Sequence, residues 1–359
     1  MQQRNARQRP LASGAVRSSV MKTILALASL ALPFAVLNGA ELPEAAITNG
    51  QIQAKIYLPD GKSGFYRGTR FDWSGVIYSL RFQDHDYYGP WFTKTGASIH
   101  DFVYEGPDII AGPCSAITGP VDEFGPLGWE EAKPGDTFIK IGIGALRKPD
   151  NGAYDNYHLY DVADPGKWDI RKKRDSIEFT QTLKVSPSGF GYVYRKTVQL
   201  ADGKPEMVLR HSIKNTGSRA IQTSVYNHNF LVLDRQPPGP GVAITVPFQI
   251  ESPRPPDKTL AEIRGNQIIY LNALKDRDTV ATPLQGFSNS VQDNQIRIEN
   301  STVGAGMTIQ ADRPLLREAL WSIRSVLAVE PFIAISIEPG EDFAWTSTYG
   351  YYMLPAPKK

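Results

Sequence analysis

Tyr192-Val193-Tyr194-Arg195-Lys196-Thr197-Val198-Gln199-Leu200 is followed by Asp202-Gly203, then by Met207-Val208-Leu209-Arg210-His211-Ser212-Ile213-Lys214, then by Asn215-Thr216-Gly217, then by a run from Ile221 to Phe230. Each run is rich in β-branched and aromatic residues, and turn-forming residues stand at each break. Three antiparallel strands in succession, a meander, is the expected structure. Outward from it the same grammar recurs. Residues 322–329, 332–338 and 343–353 read as strands, with Pro339-Gly340 as a turn. From Ile47 onward no lengthy stripe of helical period appears, and the 31 glycines and 27 prolines fall between short apolar runs. The expectation is an all-β chain built as one large antiparallel sandwich over 41–359. The Pro-rich stretch 235–257 is expected to be a long ordered loop, because strand interiors tolerate little proline.

The chain has 359 residues, 41% hydrophobic and 21% charged, enough apolar content for a large core. A single cysteine, Cys114, excludes a disulfide-stapled scaffold. Residues 1–40 hold Arg4, Arg7, Arg9, Arg17 and Lys22 and no acid. Without them 34 of the 39 basic residues face 37 acidic ones, a net of −3. A slightly acidic body gives no electrostatic reason to bind phosphate backbones, so no nucleic-acid partner is expected. Met21-Lys22 opens an apolar run through Val36 that ends among small residues near Ala40. That is the pattern of a secretory signal peptide over 1–40, with Met21 as the better start. The run is too short for a confident membrane span, so no stable membrane insertion is expected after its removal. The expected compartment is periplasmic or extracellular.

Some chemistry is missing from the pattern. The five histidines, His85, His100, His158, His211 and His228, show no metal-ligand spacing, and no metal is expected. Gly142-Ile143-Gly144 lies within the strand-like run Phe138 to Leu146 and reads as strand packing, not as a dinucleotide fingerprint. Arg171-Lys172-Lys173-Arg174 reads as a solvated hairpin tip.

Two short segments carry residues suited to proton transfer. In a strand, Tyr226, His228 and Phe230 share one face and Asn227 and Asn229 the other. Aromatic rings stack on the C–H face of a pyranose, and an imidazole passes protons near neutrality. A histidine among aromatics is also commonly a half-buried structural residue, so the pattern alone leaves both readings open. In Val326-Leu327-Ala328-Val329-Glu330-Pro331, Glu330 shares a face with Val326 and Ala328. Apolar neighbours raise a carboxyl pKa toward the range of a general base, while a glutamate at a strand end simply meets water. His211 shares a face with Met207, Leu209 and Ile213, and is expected to be buried or at a cleft wall.

The runs Met207–Asp234 and Trp321–Tyr351 together resemble the central and C-terminal segments of the aldose 1-epimerases (galactose mutarotases) in order and spacing. In that family an Asn-His pair ends a strand, and a glutamate precedes a Pro-Gly-Glu turn and a final strand. The resemblance implies a galactose-mutarotase-like β-supersandwich of large antiparallel sheets with an open cleft. It implies His228 as the general acid at the ring oxygen and Glu330 as the general base at the anomeric hydroxyl. No cofactor is implied, and the implied partner is a mono- or oligosaccharide. Acid and base are expected on opposite sides of the ring, about 5–8 Å apart, with the sugar between them.

Arg70 is the nearest counterpart of a sugar-binding arginine, and Asn227 is the asparagine of the Asn-His pair. The family's earlier His-Gly motif is matched here by Phe124-Gly125, without histidine, and His85 is a candidate replacement. Trp129 and His158 are further candidates for sugar contact, with Trp73, Trp91 and Tyr157 as weaker ones. Two other classes stay open. A polysaccharide lyase acting by β-elimination would draw on Tyr192, Tyr194, Arg195 and His158. A carbohydrate-binding protein without turnover would keep the cleft alone.

Overall fold

The computed structural model describes residues 42–355. The signal-peptide segment read over 1–40 lies outside them. A ten-stranded antiparallel sheet packs against a five-stranded one, accompanied by three sheets of four, three and three strands. The five-stranded sheet runs Thr279–Leu284, Arg317–Ile323, Val326–Ile337, Ile221–Phe230, Gly119–Phe124. Alternation explains the strands locally. Ser176–Leu183 buries every second residue, so one face meets the core and the other does not. No helix among the described residues is long and apolar enough to cross a membrane.

The expected meander is half right. Tyr192–Leu200 and Glu206–Asn215 pair as a hairpin, with Tyr192 opposite Asn215 and Leu200 opposite Met207. Ile221–Phe230 does not join them. Glu206–Asn215 instead pairs with Asp342–Met353, and Ile221–Phe230 crosses to the five-stranded sheet. Pro339-Gly340 likewise joins strands of different sheets. Asn215 ties the two crossings together. Its N–H donates to Glu341 O and its carbonyl accepts from Gly340 N. Its side-chain amide donates to Arg219 O and Ile337 O. A crossing turn uses the same Asn, Pro and Gly chemistry as a hairpin turn, so local sequence does not separate the two.

Three more boundaries move. Val326–Ile337 is one strand that continues through Pro331. Its pairing with Ile221–Phe230 lapses between Tyr226↔Phe332 and the bridge Leu231↔Leu327, which is where the missing proline N–H falls. The run Phe138 to Leu146 is a hairpin, Thr137–Lys140 and Gly144–Arg147, and Gly142 occupies its turn at φ +81°. A Cβ there would sit 2.4 Å from Asp72 Oδ1, so the glycine is required by close approach as well as by φ. The Pro-rich stretch 235–257 contains the strand Val242–Thr245 instead of being loop throughout. The basic run 171–174 is an exposed hairpin tip, as expected.

The space between the two sheets is mostly apolar and contains a charged layer. Leu320, Leu327 and Val329 of the smaller sheet share a core with Ile177, Leu209 and Met307 of the larger. Lys196 Nζ sits 2.7 Å from Asp122 Oδ2 and 3.5 Å from Asp72 Oδ2, with all three side chains buried. His211 Nε2 lies 3.1 Å from the same Asp122 oxygen, and Asn227 Nδ2 donates to Asp122 Oδ1 at 2.6 Å. His211 is thus interior, stacked on Trp345. Burial pushes Asp122 up, but Lys196 and His211 outweigh it and hold the carboxyl below the ordinary range. Removing the ammonium takes away the cation shared by two buried acids. We expect Lys196→Met to lower unfolding free energy by about 3–5 kcal/mol, measured by urea denaturation at neutral pH. A loss within about 0.5 kcal/mol, typical of surface changes, would show that the layer carries no such load.

Candidate functional site

The two strands that cross between sheets also build the site. The register that sets Tyr226 opposite Phe332 and Leu231 opposite Leu327 places His228 across from Glu330. Their side chains meet, with Nε2 3.2 Å from Oε1. On the far side of Glu330 stands Ala319, too small to cover it. On the far side of His228 runs Gly119–Phe124, with Val121 opposite the histidine.

Packing fixes the imidazole. Phe230 stacks on it at 3.7 Å between centroids, and Phe71 and Trp321 meet it edge-on, each at 5.7 Å. Nδ1 has no protein partner among the described residues. Burial, and after it the nearby Arg70 cation, hold His228 well below the ordinary imidazole range. Burial pushes Glu330 up to about 7, with Glu123 adding to the rise and Arg70 and Arg317 opposing it. A neutral imidazole facing a carboxyl that titrates near neutrality amounts to one shared proton, resting on the carboxyl side.

Above the pair opens a cavity of about 350 Å³, within the range of small-molecule sites, roughly 300–1,000 Å³. Arg70, Tyr157, Trp91, Phe102, Trp321 and Asp101 line it together with His228 and Glu330. Arg70 is held rigidly. Its Nε donates to Glu123 Oε2 at 2.7 Å, an NH2 donates to the Tyr226 hydroxyl at 3.1 Å, and its guanidinium lies 4.7 Å from the Tyr157 ring centre. Glu123 follows Asp122 in the chain and points to the opposite face, so one strand anchors the interior charge layer and the cleft arginine at once.

His228, Glu330 and Arg70 therefore come together, and Tyr226, His228 and Phe230 share a face as expected. The other candidates do not join them. Asn227 points between the sheets to Asp122 and lies off the cleft cavity, because period-2 alternation turns it away from His228. Trp129 is interior, packed edge-on against Phe138 and Tyr160, and Lys148 Nζ donates to its carbonyl. His85 is paired with Asp234, Nδ1 to Oδ2 at 2.6 Å, away from the cavity. His158 is exposed, its ring against Tyr160, and its carbonyl accepts from Thr69. Trp73 is also core, whereas Trp91 and Tyr157 line the cavity. The expected separation of about 5–8 Å with a ring between is not found: His228 and Glu330 are in direct contact. The reason is their direct cross-strand register.

The four side chains drawn on for β-elimination do not gather. Tyr192 bonds Gln181 and Tyr194 bonds Asp72 in the interior, while Arg195 and His158 are exposed. Arg317, Trp321 and Arg254 line the cavity and were missed. Arg317, Ala319 and Trp321 alternate along one strand, a signal that becomes readable once that strand is known to flank Glu330. Arg254, in the Pro-rich stretch, gives no such signal. Among the described residues no three His, Cys, Asp or Glu side chains gather in a way that holds a metal ion.

The raised pKa of Glu330 has a thermodynamic signature. Glu330 is neutral in the fold up to about pH 7 but ionises at its ordinary value in the unfolded chain, so its contribution is present below about pH 4.5 and lost as pH rises through about 7. Glu330→Gln removes that loss. Relative to the parent, the variant is expected to gain on the order of 2–3 kcal/mol of unfolding free energy between pH 4.5 and pH 8. A pH-independent difference in urea midpoints would mean the carboxyl is not shifted.

No protein-family model matches the chain, and no curated protein matches it. Solved structures do. A galactose mutarotase-like protein from Clostridium acetobutylicum aligns over 88% of this chain and 99% of its own at 11% identity, with a TM-score of 0.52. An aldose epimerase homologue from C. elegans covers 88% and 100% at 13% identity and 0.51. A putative aldose 1-epimerase from Escherichia coli K12 covers 88% and 100% at 15% identity and 0.50. The chain has the all-β galactose-mutarotase-like fold that the two sequence runs implied.

Proposed function

We propose that this protein interconverts the anomers of a sugar, with His228 and Glu330 as the proton-transfer pair. The single observation that carries this reading is the 3.2 Å contact between a buried imidazole and a half-buried carboxyl on the floor of an arginine- and aromatic-lined cavity. Adjacent groups suit the reaction better than opposed ones. The ring oxygen and the anomeric hydroxyl are bonded to the same carbon, so two side chains in contact can address both atoms.

The proton count balances. A proton resting on Glu330 passes to Nε2, which leaves an imidazolium and a carboxylate. The carboxylate takes the proton of the anomeric hydroxyl while Nε2 gives its proton to the ring oxygen. The bond between the anomeric carbon and the ring oxygen breaks, and an open-chain aldehyde forms. Rotation about the adjacent carbon–carbon bond exposes the other carbonyl face, and the reverse transfers close the ring. Arg70, fixed by Glu123 and Tyr226, is available to hold a hydroxyl, and Trp321 or Trp91 to stack on the ring. No cofactor enters this chemistry. The apolar segment after Met21 supports placing the activity outside the cytoplasm.

Activity is expected to be bell-shaped in pH. Protonation of both groups at low pH leaves no base, and loss of the shared proton at high pH leaves no acid. His228→Ala and Glu330→Gln are each expected to lower kcat for anomer exchange by roughly 10²–10⁴-fold, read by NMR exchange spectroscopy on common aldoses. Unchanged exchange in both variants, or no exchange of any aldose, sugar acid or sugar phosphate by the parent, would refute the assignment.

A further inference from the structure

We propose that the sugar accepted here is anionic, a pyranose bearing a carboxylate or a phosphate, and that Arg254 and Arg317 hold its charged group. The inference rests on the anomer-exchange reading and names the substrate class of that site.

Three guanidinium groups line the cavity, and they are not alike. Arg70 is satisfied by Glu123 and the Tyr226 hydroxyl. Arg254 and Arg317 are exposed, and among the described residues neither has a carboxylate within 4.0 Å or a side-chain hydrogen bond. Other described arginines, Arg174, Arg195, Arg235 and Arg277, are also without such a partner, but none of them lines the cavity, whereas Arg171 is paired to Asp169 and Arg219 to Glu131. Two unpaired guanidiniums facing one concavity, in a body of net negative charge, are a local excess in want of a counter-charge.

Both are positioned. The Arg317 guanidinium lies 3.7 Å from the Phe332 ring centre, held over the residue that stands opposite it in the sheet. The carbonyl of Arg254 accepts from Thr282 Oγ1 at 2.9 Å, which pins that residue to the strand Thr279–Leu284. That strand pairs with Arg317–Ile323, with Leu284 opposite Glu318. The two arginines thus come from neighbouring segments on the side of the cavity away from Glu123, the ion-pair partner of Arg70. Two acids also line the cavity, Asp101 and Glu330, and neither forms an ion pair with Arg254 or Arg317. Asp101 accepts from Ser115 Oγ at 2.5 Å, and Glu330 is occupied with His228. Guanidinium forks match carboxylate and phosphate oxygens in geometry, and a neutral aldose offers neither.

The test uses the full chain with D-glucose, D-glucuronate and D-glucose 6-phosphate. Dissociation constants come from calorimetry at low and moderate salt, and anomer exchange from NMR on the same samples. At least one anion is expected to bind about tenfold or more tightly than glucose, the scale of one charge-assisted hydrogen bond. The two arms tell carboxylate from phosphate. The preference is expected to shrink with added salt and to fall to about one in the R254Q/R317Q double variant, while R254K/R317K retains part of it. Equal affinity for all three sugars, binding of none, or a preference untouched by the double variant in a protein with parental circular dichroism would overturn the proposal. Anion preference without exchange would instead sink the catalytic reading and leave this one standing. Glucose exchange without anion preference would do the reverse.

Discussion

One strand register decides what this molecule can do. If Ile221–Phe230 slipped by a single residue against Val326–Ile337, side chains would exchange faces, and Asn227 rather than His228 would meet the cleft. The register is pinned at both ends, by Tyr226↔Phe332 and by Leu231↔Leu327, and the middle is left unladdered. Asn229 fills that gap by donating from its side chain to Val329 O at 2.8 Å, so the opened backbone stays satisfied. Asn215 then holds the two sheet-crossing connections against each other, which fixes where both strands start and end. His228 and Glu330 therefore meet because backbone pairing leaves them no alternative.

The same alternation makes the five-stranded sheet electrically two-faced. Asp122 and Glu123 are successive residues with opposite directions. The first faces Lys196, His211 and Asn227 between the sheets, and the second faces Arg70, Tyr226 and Lys140 at the cleft. Each acid is compensated on its own side. Burial pushes Lys140 down to about 8 even with Glu123 beside it, so the cleft-side cluster lives at low dielectric too. Arg70 owes its fixed orientation to this arrangement, and any hydroxyl it meets is met by a guanidinium that cannot swing away.

Much of the fold was readable from residues alone, because period-2 runs and turn residues are local properties. The strand Tyr192–Leu200 was read to the residue. What failed was non-local. Nothing in Asn215-Thr216-Gly217 says whether the next strand turns back or crosses the core, and that choice depends on packing partners more than a hundred residues away. The site divides the same way. His228 and Glu330 carried a local signature, a titratable group among apolar neighbours on one strand face. Asn227, Trp129, His85 and His158 were drawn in by proximity in sequence or by residue type, and packing placed each elsewhere. Arg254 had no signature, since an arginine in a Pro-rich stretch looks solvated until the stretch is folded over a cavity.

The packing that builds the core and the chemistry of the pair are one arrangement seen twice. Phe230, Phe71 and Trp321 hold the imidazole plane by contact on a face and two edges, so its Nε2 stays aimed at Glu330. Those contacts also desolvate the pair, and that burial holds the imidazole pKa down and pushes the carboxyl's up to about 7. Loosening any of the three rings would free the imidazole to rotate and would admit solvent together. The shifted pKa values and the 3.2 Å contact would then be lost together. A solvated His-Glu pair in the same register would keep the distance but ionise both groups near neutral pH, with each charge tied up in the other. Apolar packing disfavours both charges, and the fold carries the cost of a largely desolvated carboxyl.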